Sequence, residues 1–155
     1  VTKAVRKVTD KPVIVKLSPN VTDIVEIAKA VEAGGGNGVS LINTLLGMAI
    51  DIHRRKPVLG NIYGGLSGPA VKPVALRMIH QVYKGVTIPI IGLGGIMTGT
   101  DAIEFMMAGA QAVQVGTATM VDPTAISRIA REMSEYVEQH NLDNITDIVG
   151  AVHQA

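Results

Sequence analysis

Short apolar runs alternate with longer amphipathic stretches along this chain. The apolar runs are rich in Val, Ile and Leu, and they predict strands at residues 12–17, 38–42, 89–92 and 112–115. The amphipathic stretches predict helices at about 21–33, 72–83, 99–108 and 123–139, with a short terminal helix at 144–149. This regular order of strand and helix predicts an α/β fold with a parallel sheet and right-handed crossovers.

Residues at the predicted helix ends support these assignments. Gly34–Gly36 follow the first long helix as a C-cap signal, and we expect Asn20 or Thr22 to cap its start. Pro73 suits the first turn of the second helix. Asp122 is the expected cap of the last long helix, which starts near residue 123.

The four strand–helix units fit two architectures, an open doubly wound sheet or part of a (β/α)8 barrel. A complete barrel needs about 250 residues, so the 155 residues here suffice for about half of one, and we expect residues 1–155 to form a single domain. Val1, Ala4, Val5 and Val8 lie at helical spacing with no capping residue before them. We therefore expect the chain to begin within a helix of a longer protein.

Residues 43–71 form the longest connection between predicted elements and contain the stretch GNIYGGLSGP. Connections of this length in compact domains are usually functional or disordered. The glycines would let the backbone approach a ligand closely. A functional loop is the favoured interpretation, and a mobile surface loop is the alternative.

Composition excludes several function classes. The formal net charge is +1 with scattered Lys and Arg residues, which predicts no nucleic-acid binding. The chain has no cysteine, which excludes disulfides and thiolate chemistry within it and leads us to expect a cytoplasmic protein. No apolar run is long enough for a membrane span. The mean hydropathy of +0.33 fits strands that are buried in a parallel α/β fold.

The last two predicted strands both end in glycine just before a helix. Gly94 and Gly95 follow the first of them, and Gly116 and Thr117 follow the second. Backbone N–H groups at such turns bind phosphate, and the loops after the last two strands are the usual phosphate site of a (β/α)8 barrel. The segment therefore predicts a phosphate-bearing ligand, the alternative being two ordinary tight turns.

Polar side chains follow the first two predicted strands. Lys16 lies near the carboxyl end of the first strand, where a cation stabilises negative charge on a ligand. Asn43 and Thr44 end the second strand and offer donors and acceptors that suit a flat heterocycle. A solvated lysine and ordinary turn chemistry are the alternatives.

Other reactive residue types give no site. His53, His80, His140 and His153 lack metal-ligand spacing, so we expect no metal site. Ser67 lacks the strand–turn–helix setting of a nucleophile elbow.

The motifs VKLSPN, LINT, GGLSGP, IPIIGLGGI and AVQVGTA stand in this order along the chain. Together they closely resemble the FMN-carrying catalytic subunit of dihydroorotate dehydrogenase. The motif sequences are most similar to those of the bacterial NAD-linked class 1B form. The resemblance covers nearly the whole chain but only the C-terminal half of the family's sequence. It implies the C-terminal half of a (β/α)8 barrel with four parallel βα units.

The resemblance also implies an activity and a set of contacts. The family oxidises dihydroorotate to orotate in pyrimidine synthesis, as a base takes a proton from C5 and hydride passes from C6 to flavin N5. Residues that match the family's FMN contacts are Lys16, Ile42, Gly68, Gly94, Gly95, Gly116 and Thr117. Residues that match its substrate contacts are Asn43 and Thr44.

One part of the family's site has no counterpart here. The base in this class is a cysteine upstream of the Lys16 strand, and the chain contains no cysteine. We therefore expect no catalytic residue in this chain, a base upstream of residue 1 and no activity of the chain alone. The expected partners are the N-terminal half of the barrel, a further copy in a homo-oligomer, and an electron-transfer subunit with FAD and a 2Fe–2S cluster that reaches NAD. The alternatives are a non-catalytic module that binds FMN or phosphate, and a fragment that self-associates through its open sheet edges.

Overall fold

The computed structural model describes residues 1–154. Its strands are β1 (Ile14–Leu17), β2 (Gly38–Leu41), β3 (Leu45–Met48), β4 (Ile50–Asp51), β5 (Lys56–Pro57), β6 (Tyr63–Leu66), β7 (Ile90–Leu93) and β8 (Ala112–Gln114). Its α-helices are α1 (Thr2–Arg6), α2 (Ile24–Ala33), α3 (Lys72–Tyr83), α4 (Gly99–Met107), α5 (Thr117–Val121) and α6 (Ala125–Gln139). Short 3₁₀ helices span Pro69–Val71, Ile145–Ile148 and Ala151–His153.

Four parallel strands form the central sheet in the order β1-β2-β7-β8. Lys16 is in register with Ser40, Ser40 with Ile91, and Ile91 with Ala112, so these side chains share one face of the sheet. All four predicted strands are present within one or two residues of their predicted bounds, which confirms the α/β fold with four parallel βα units.

The helices cover one face of this sheet. Val39, Leu41 and Ile90 point toward them and, with Ile79 and Phe105, are at most 1% exposed. The opposite face is open at its margins, where the Ile14 side chain is 52% exposed and the side chains of Ala112 and Gln114 are also exposed. Within residues 1–154, β1 and β8 each pair with a strand on one side only.

The long connection is not the plain loop expected from the sequence. β3 pairs antiparallel with β6, and β4 pairs antiparallel with β5 beyond them. Gly47 faces Gly64 across the first pair, and Gly65 faces Leu46. Glycine-rich strands carry little strand signal because they have few side chains to pack, so pattern alone missed this hairpin.

Several helix starts differ from the sequence-based expectation. Asp23, rather than Asn20 or Thr22, caps α2, because its carboxylate accepts hydrogen bonds from the N–H groups of Val25 and Glu26. The following helix start is as predicted, with Pro73 in the first turn of α3.

The C-terminal part also differs in its helix bounds. Thr124, not Asp122, is the N-cap residue of α6, and Asp122 ends α5, a short helix that the pattern did not predict. The predicted helix at 144–149 is the 3₁₀ turn Ile145–Ile148, which Asn144 caps.

At the other end of the chain, the apolar residues expected to form the buried face of the first helix are largely exposed. Val1 and Val8 are 106% and 82% exposed, and Val5 is 40% exposed. α1 instead packs through Thr2 against Gly34, and the Arg6 guanidinium donates to the carbonyl of Lys11.

Candidate functional site

A cavity of about 660 Å³ opens at the carboxyl ends of the four parallel strands. It is lined by all nine residues that the sequence pointed to: Lys16, Ile42, Asn43, Thr44, Gly68, Gly94, Gly95, Gly116 and Thr117. This edge of the sheet is where parallel α/β folds bind their ligands, because the strand ends and the following loops converge there. The tertiary structure thus gathers residues as far apart in the chain as Lys16 and Thr117.

The turn after β7 has a backbone that only glycine adopts easily. Gly94 and Gly95 have φ angles of +126° and +85°. A Cβ on Gly95 would lie 2.8 Å from the Lys72 nitrogen and 2.9 Å from the Gly68 carbonyl oxygen. The turn after β7 therefore packs directly against the Gly68 turn, with no room for a side chain between them.

The turn after β8 is open by comparison. A Cβ on Gly116 would meet no atom within 4 Å, so its backbone is accessible from the cavity. The Thr117 hydroxyl donates to the Ser67 hydroxyl at 2.9 Å. This bond ties the turn after β8 to the segment that precedes Gly68.

Lys16 near the end of β1, and Asn43 and Thr44 after β2, line the cavity. The Asn43 N–H donates to the Leu17 carbonyl at 3.0 Å, which joins the ends of the two strands. The Asn43 Oδ1 accepts the Thr44 N–H at 2.8 Å, and within residues 1–154 its Nδ2 has no acceptor. The side chain thus has a local turn contact and still offers an amide donor to a ligand.

Asn20 is a residue of this region whose role the sequence did not indicate. Its Nδ2 donates to the Thr44 carbonyl at 3.0 Å, and its Oδ1 accepts the Leu46 N–H at 2.9 Å. Asn20 therefore fixes the start of the hairpin against the loop after β1. Its partners are distant in the chain, so no local pattern reveals the contact.

The remaining lining comes mainly from residues without a sequence signal for a site. α6 contributes Ile126, Ile129, Ala130 and Met133, the strands contribute Leu66, Leu93, Val113 and Gln114, and Val115 follows β8 directly. The cavity is thus apolar on the α6 side and polar around the strand ends. An apolar wall with a few convergent polar groups is typical of a cofactor pocket.

Among residues 1–154, no group of three or more His, Asp or Glu side chains could hold a metal ion. Over the same residues, no helix combines the length and the apolar character that a bilayer crossing requires.

Comparison with known proteins places the chain in a family. The sequence profile described as dihydroorotate dehydrogenase matches residues 1–137. Three relatives carry the name dihydroorotate dehydrogenase B (NAD(+)), catalytic subunit. The protein from Desulforamulus reducens is 64% identical over 153 residues, and that from Geobacter sp. strain M21 is 61% identical over 152 residues. The protein from Alkaliphilus oremlandii is 62% identical over 150 residues.

These matches cover 97–99% of this chain but 50% of each relative. The chain thus spans about half the length of the curated relatives it matches. Four parallel βα units over that length are half of a (β/α)8 barrel. The profile match and the identity to these relatives establish that the chain belongs to the dihydroorotate dehydrogenase family.

Proposed function

We propose that this chain supplies the FMN-binding half of the active site of a dihydroorotate dehydrogenase and part of its substrate contacts. The observation that carries the proposal is the shared cavity, because every residue matched to an FMN or substrate contact lines it. Its volume of about 660 Å³ falls within the range of cofactor pockets. When bound, FMN would accept a hydride from the substrate.

The turns after β7 and β8 are the proposed phosphate site. Gly94 and Gly95 have left-handed backbones, and the space beside Gly116 is open to the cavity. Glycine turns of this kind expose backbone N–H groups, which suit a phosphate without any cationic side chain. Gly68 and Ile42 complete the proposed FMN contacts.

Lys16, Asn43 and Thr44 are the proposed polar contacts to the flavin and the substrate. Lys16 would stabilise the negative charge that gathers on a flavin ring as it is reduced. The Asn43 amide and the Thr44 hydroxyl would hydrogen-bond the carbonyl, N–H and carboxylate edges of a dihydropyrimidine. Asn20 holds the Thr44 carbonyl and so would keep this pair in place.

Proton abstraction is proposed to come from outside these residues, since the chain has no cysteine. The proposed partners are the other half of the barrel and an electron-transfer subunit that carries FAD and a 2Fe–2S cluster and passes electrons to NAD. We also propose that the protein forms a homo-oligomer and that it is located in the cytoplasm.

The first test is flavin titration of the purified 155-residue chain. We expect FMN to bind with about one site per chain and to bind more tightly than riboflavin, which lacks the phosphate. Dihydroorotate with an artificial electron acceptor should yield no orotate. Absence of any flavin binding contradicts the proposed site, and rapid turnover by the pure chain contradicts the external base.

A second candidate function is a half-barrel that self-associates without catalysis. The open edges of β1 and β8 and the exposed Ile14 side chain favour it, because unpaired strand edges and apolar side chains promote association. FMN or free phosphate would still bind at the glycine turns of such an assembly.

A further inference from the structure

Three glycine turns line the candidate phosphate side of the cavity, and each belongs to a different connection. One contains Gly68, the second contains Gly94 and Gly95, and the third contains Gly116. A phosphate group contacts several turns at once only if their spacing is correct to a fraction of an ångström. Something other than local chain geometry must therefore hold the three turns in register.

Lys72 joins the first turn to the second. Its backbone nitrogen lies 2.8 Å from the position of a Cβ on Gly95, so the start of α3 touches one end of the turn after β7. Its Nζ donates to Asp101 Oδ1 at 2.7 Å. The other carboxylate oxygen of Asp101 accepts the N–H groups of Met97 at 2.8 Å and Thr98 at 2.9 Å. Lys72 thus contacts one end of the segment between β7 and α4 directly and the other end through Asp101.

Arg128 joins the segment that follows the second turn to the helix that follows the third. Its Nη2 donates to the Met97 carbonyl at 3.2 Å, and its Nε lies 3.5 Å from Asp122 Oδ2. Asp122 ends α5, the helix that begins at Thr117 directly after Gly116. Arg128 therefore connects the segment after β7 to the segment after β8.

Each of these two cations also forms an ion pair with a glutamate. Glu104 Oε1 lies 3.0 Å from Lys72 Nζ, and Glu132 Oε1 lies 3.1 Å from Arg128 Nη1. The other Glu132 oxygen accepts the N–H of Gly99, at the start of α4. Hydrogen bonding to carboxylates raises the pKa of Lys72, and the Gly99 N–H lowers the pKa of Glu132. Lys72 and Glu132 are therefore charged at neutral pH.

Neither cation lines the cavity, and their side chains are only 25% and 32% exposed. Each cation has two carboxylate neighbours, so each cluster carries a net negative charge and does not attract an anion. Their contribution to phosphate binding would therefore be geometric. We propose that Lys72 and Arg128 are positioning residues that set the spacing of the three glycine turns around a ligand phosphate. This inference rests on the proposed function.

The test compares FMN with riboflavin on the full 155-residue chain and its variants. Lys72→Met and Arg128→Met should each raise the Kd of FMN about tenfold and leave the Kd of riboflavin within about twofold. Lys72→Arg keeps the charge and the donors and should restore most of the FMN affinity. Arg131→Met is the matched control on α6, because Arg131 is 69% exposed and its one ion pair among residues 1–154 is with Glu135.

The loss of FMN affinity in the methionine variants should persist at about 0.5 M NaCl, where electrostatic attraction between exposed charges is screened. Circular dichroism of each variant establishes that it is folded before titration. Equal losses for FMN and riboflavin, or a loss that salt abolishes, overturn the positioning role. If the wild-type chain prefers FMN over riboflavin and both methionine variants keep that preference, this inference alone is overturned. Absence of that preference in the wild-type chain overturns the proposed phosphate site itself, and the positioning role with it.

Discussion

Asn20 is joined to Thr44, a residue of the cavity wall, because the Asn20 Nδ2 donates to the Thr44 carbonyl at 3.0 Å. The Asn20 Oδ1 also accepts the Leu46 N–H at 2.9 Å. One amide side chain thus uses both of its ends to hold the first residues of the hairpin. This contact connects the loop after β1 to a residue proposed to bind substrate.

Replacement of Asn20 by Ala should loosen the hairpin and lower the free energy of unfolding by about 1 kcal/mol, because the exposed hydrogen bonds to Thr44 and Leu46 are lost. Hydrogen exchange at the Leu46 amide should accelerate. Asn20→Asp is the matched control, since its carboxylate still accepts from Leu46 but no longer donates to Thr44. Unchanged exchange at Leu46 in the alanine variant would contradict the role assigned to Asn20.

Gly95→Ala should reduce stability strongly. The φ angle of +85° disfavours any side chain, and the new Cβ would lie 2.8 Å from the Lys72 nitrogen and 2.9 Å from the Gly68 oxygen. We expect a loss of about 2–4 kcal/mol, as left-handed strain and overpacking add. Urea denaturation measures it, and a loss below about 1 kcal/mol would show that the turn relaxes freely.

Gly116→Ala should weaken FMN binding and leave stability nearly unchanged, in contrast to Gly95→Ala. A Cβ at this position meets no atom within 4 Å, so the free energy of unfolding should change little. The added methyl group would occupy the space in which the proposed phosphate approaches the backbone, so the Kd of FMN should rise. Titration with FMN and denaturation of the same variant separate the two effects. A large stability loss together with unchanged FMN affinity would contradict the proposed site at Gly116.

Stability should fall below neutral pH because of His80. Its ring stacks on His153 with centroids 4.2 Å apart. Burial lowers the pKa of His80 in the folded state, and electrostatic interactions with His153 and Lys84 lower it further. The unfolded chain therefore binds the extra proton more readily, and the stabilisation that is present above about pH 6.5 is lost as the pH falls toward the folded pKa.

Urea denaturation at pH 7.5 and pH 5.5 measures this effect in the wild type and in His80→Gln. The variant should show a shallower decrease in the free energy of unfolding. His53→Gln is the control, because His53 lies on the exposed turn between β4 and β5. Equal pH dependence in the wild type and the His80 variant would show that other groups cause the decrease.

Association in solution should depend on the open side of the sheet. Ile14 lies on the edge strand β1 and is 52% exposed. Ile14→Lys should lower the average mass in sedimentation experiments, because a charge at a strand edge opposes pairing with another chain. A wild-type chain that stays monomeric at all concentrations would argue against self-association.

The local pattern determined much of this protein. Apolar runs that end in glycine specified β7 and β8, since strand burial favours apolar residues, and the left-handed backbone of the turn after β7 favours glycine. The helix start at Pro73 and the strand that carries Lys16 followed in the same way. The motif resemblance added the family, which the profile match confirms.

Only the tertiary structure decided which residues meet. The pairing of β3 with β6, the bond from Asn20 to Thr44, the ion pair of Lys72 with Asp101 and the bond from Arg128 to the Met97 carbonyl all join residues far apart in sequence. Local propensity acts over a few residues, whereas these contacts depend on where the parallel sheet brings its loops. The sequence by itself thus determined the strands, the turns and the residue types of the site, and packing around the sheet decided their spacing.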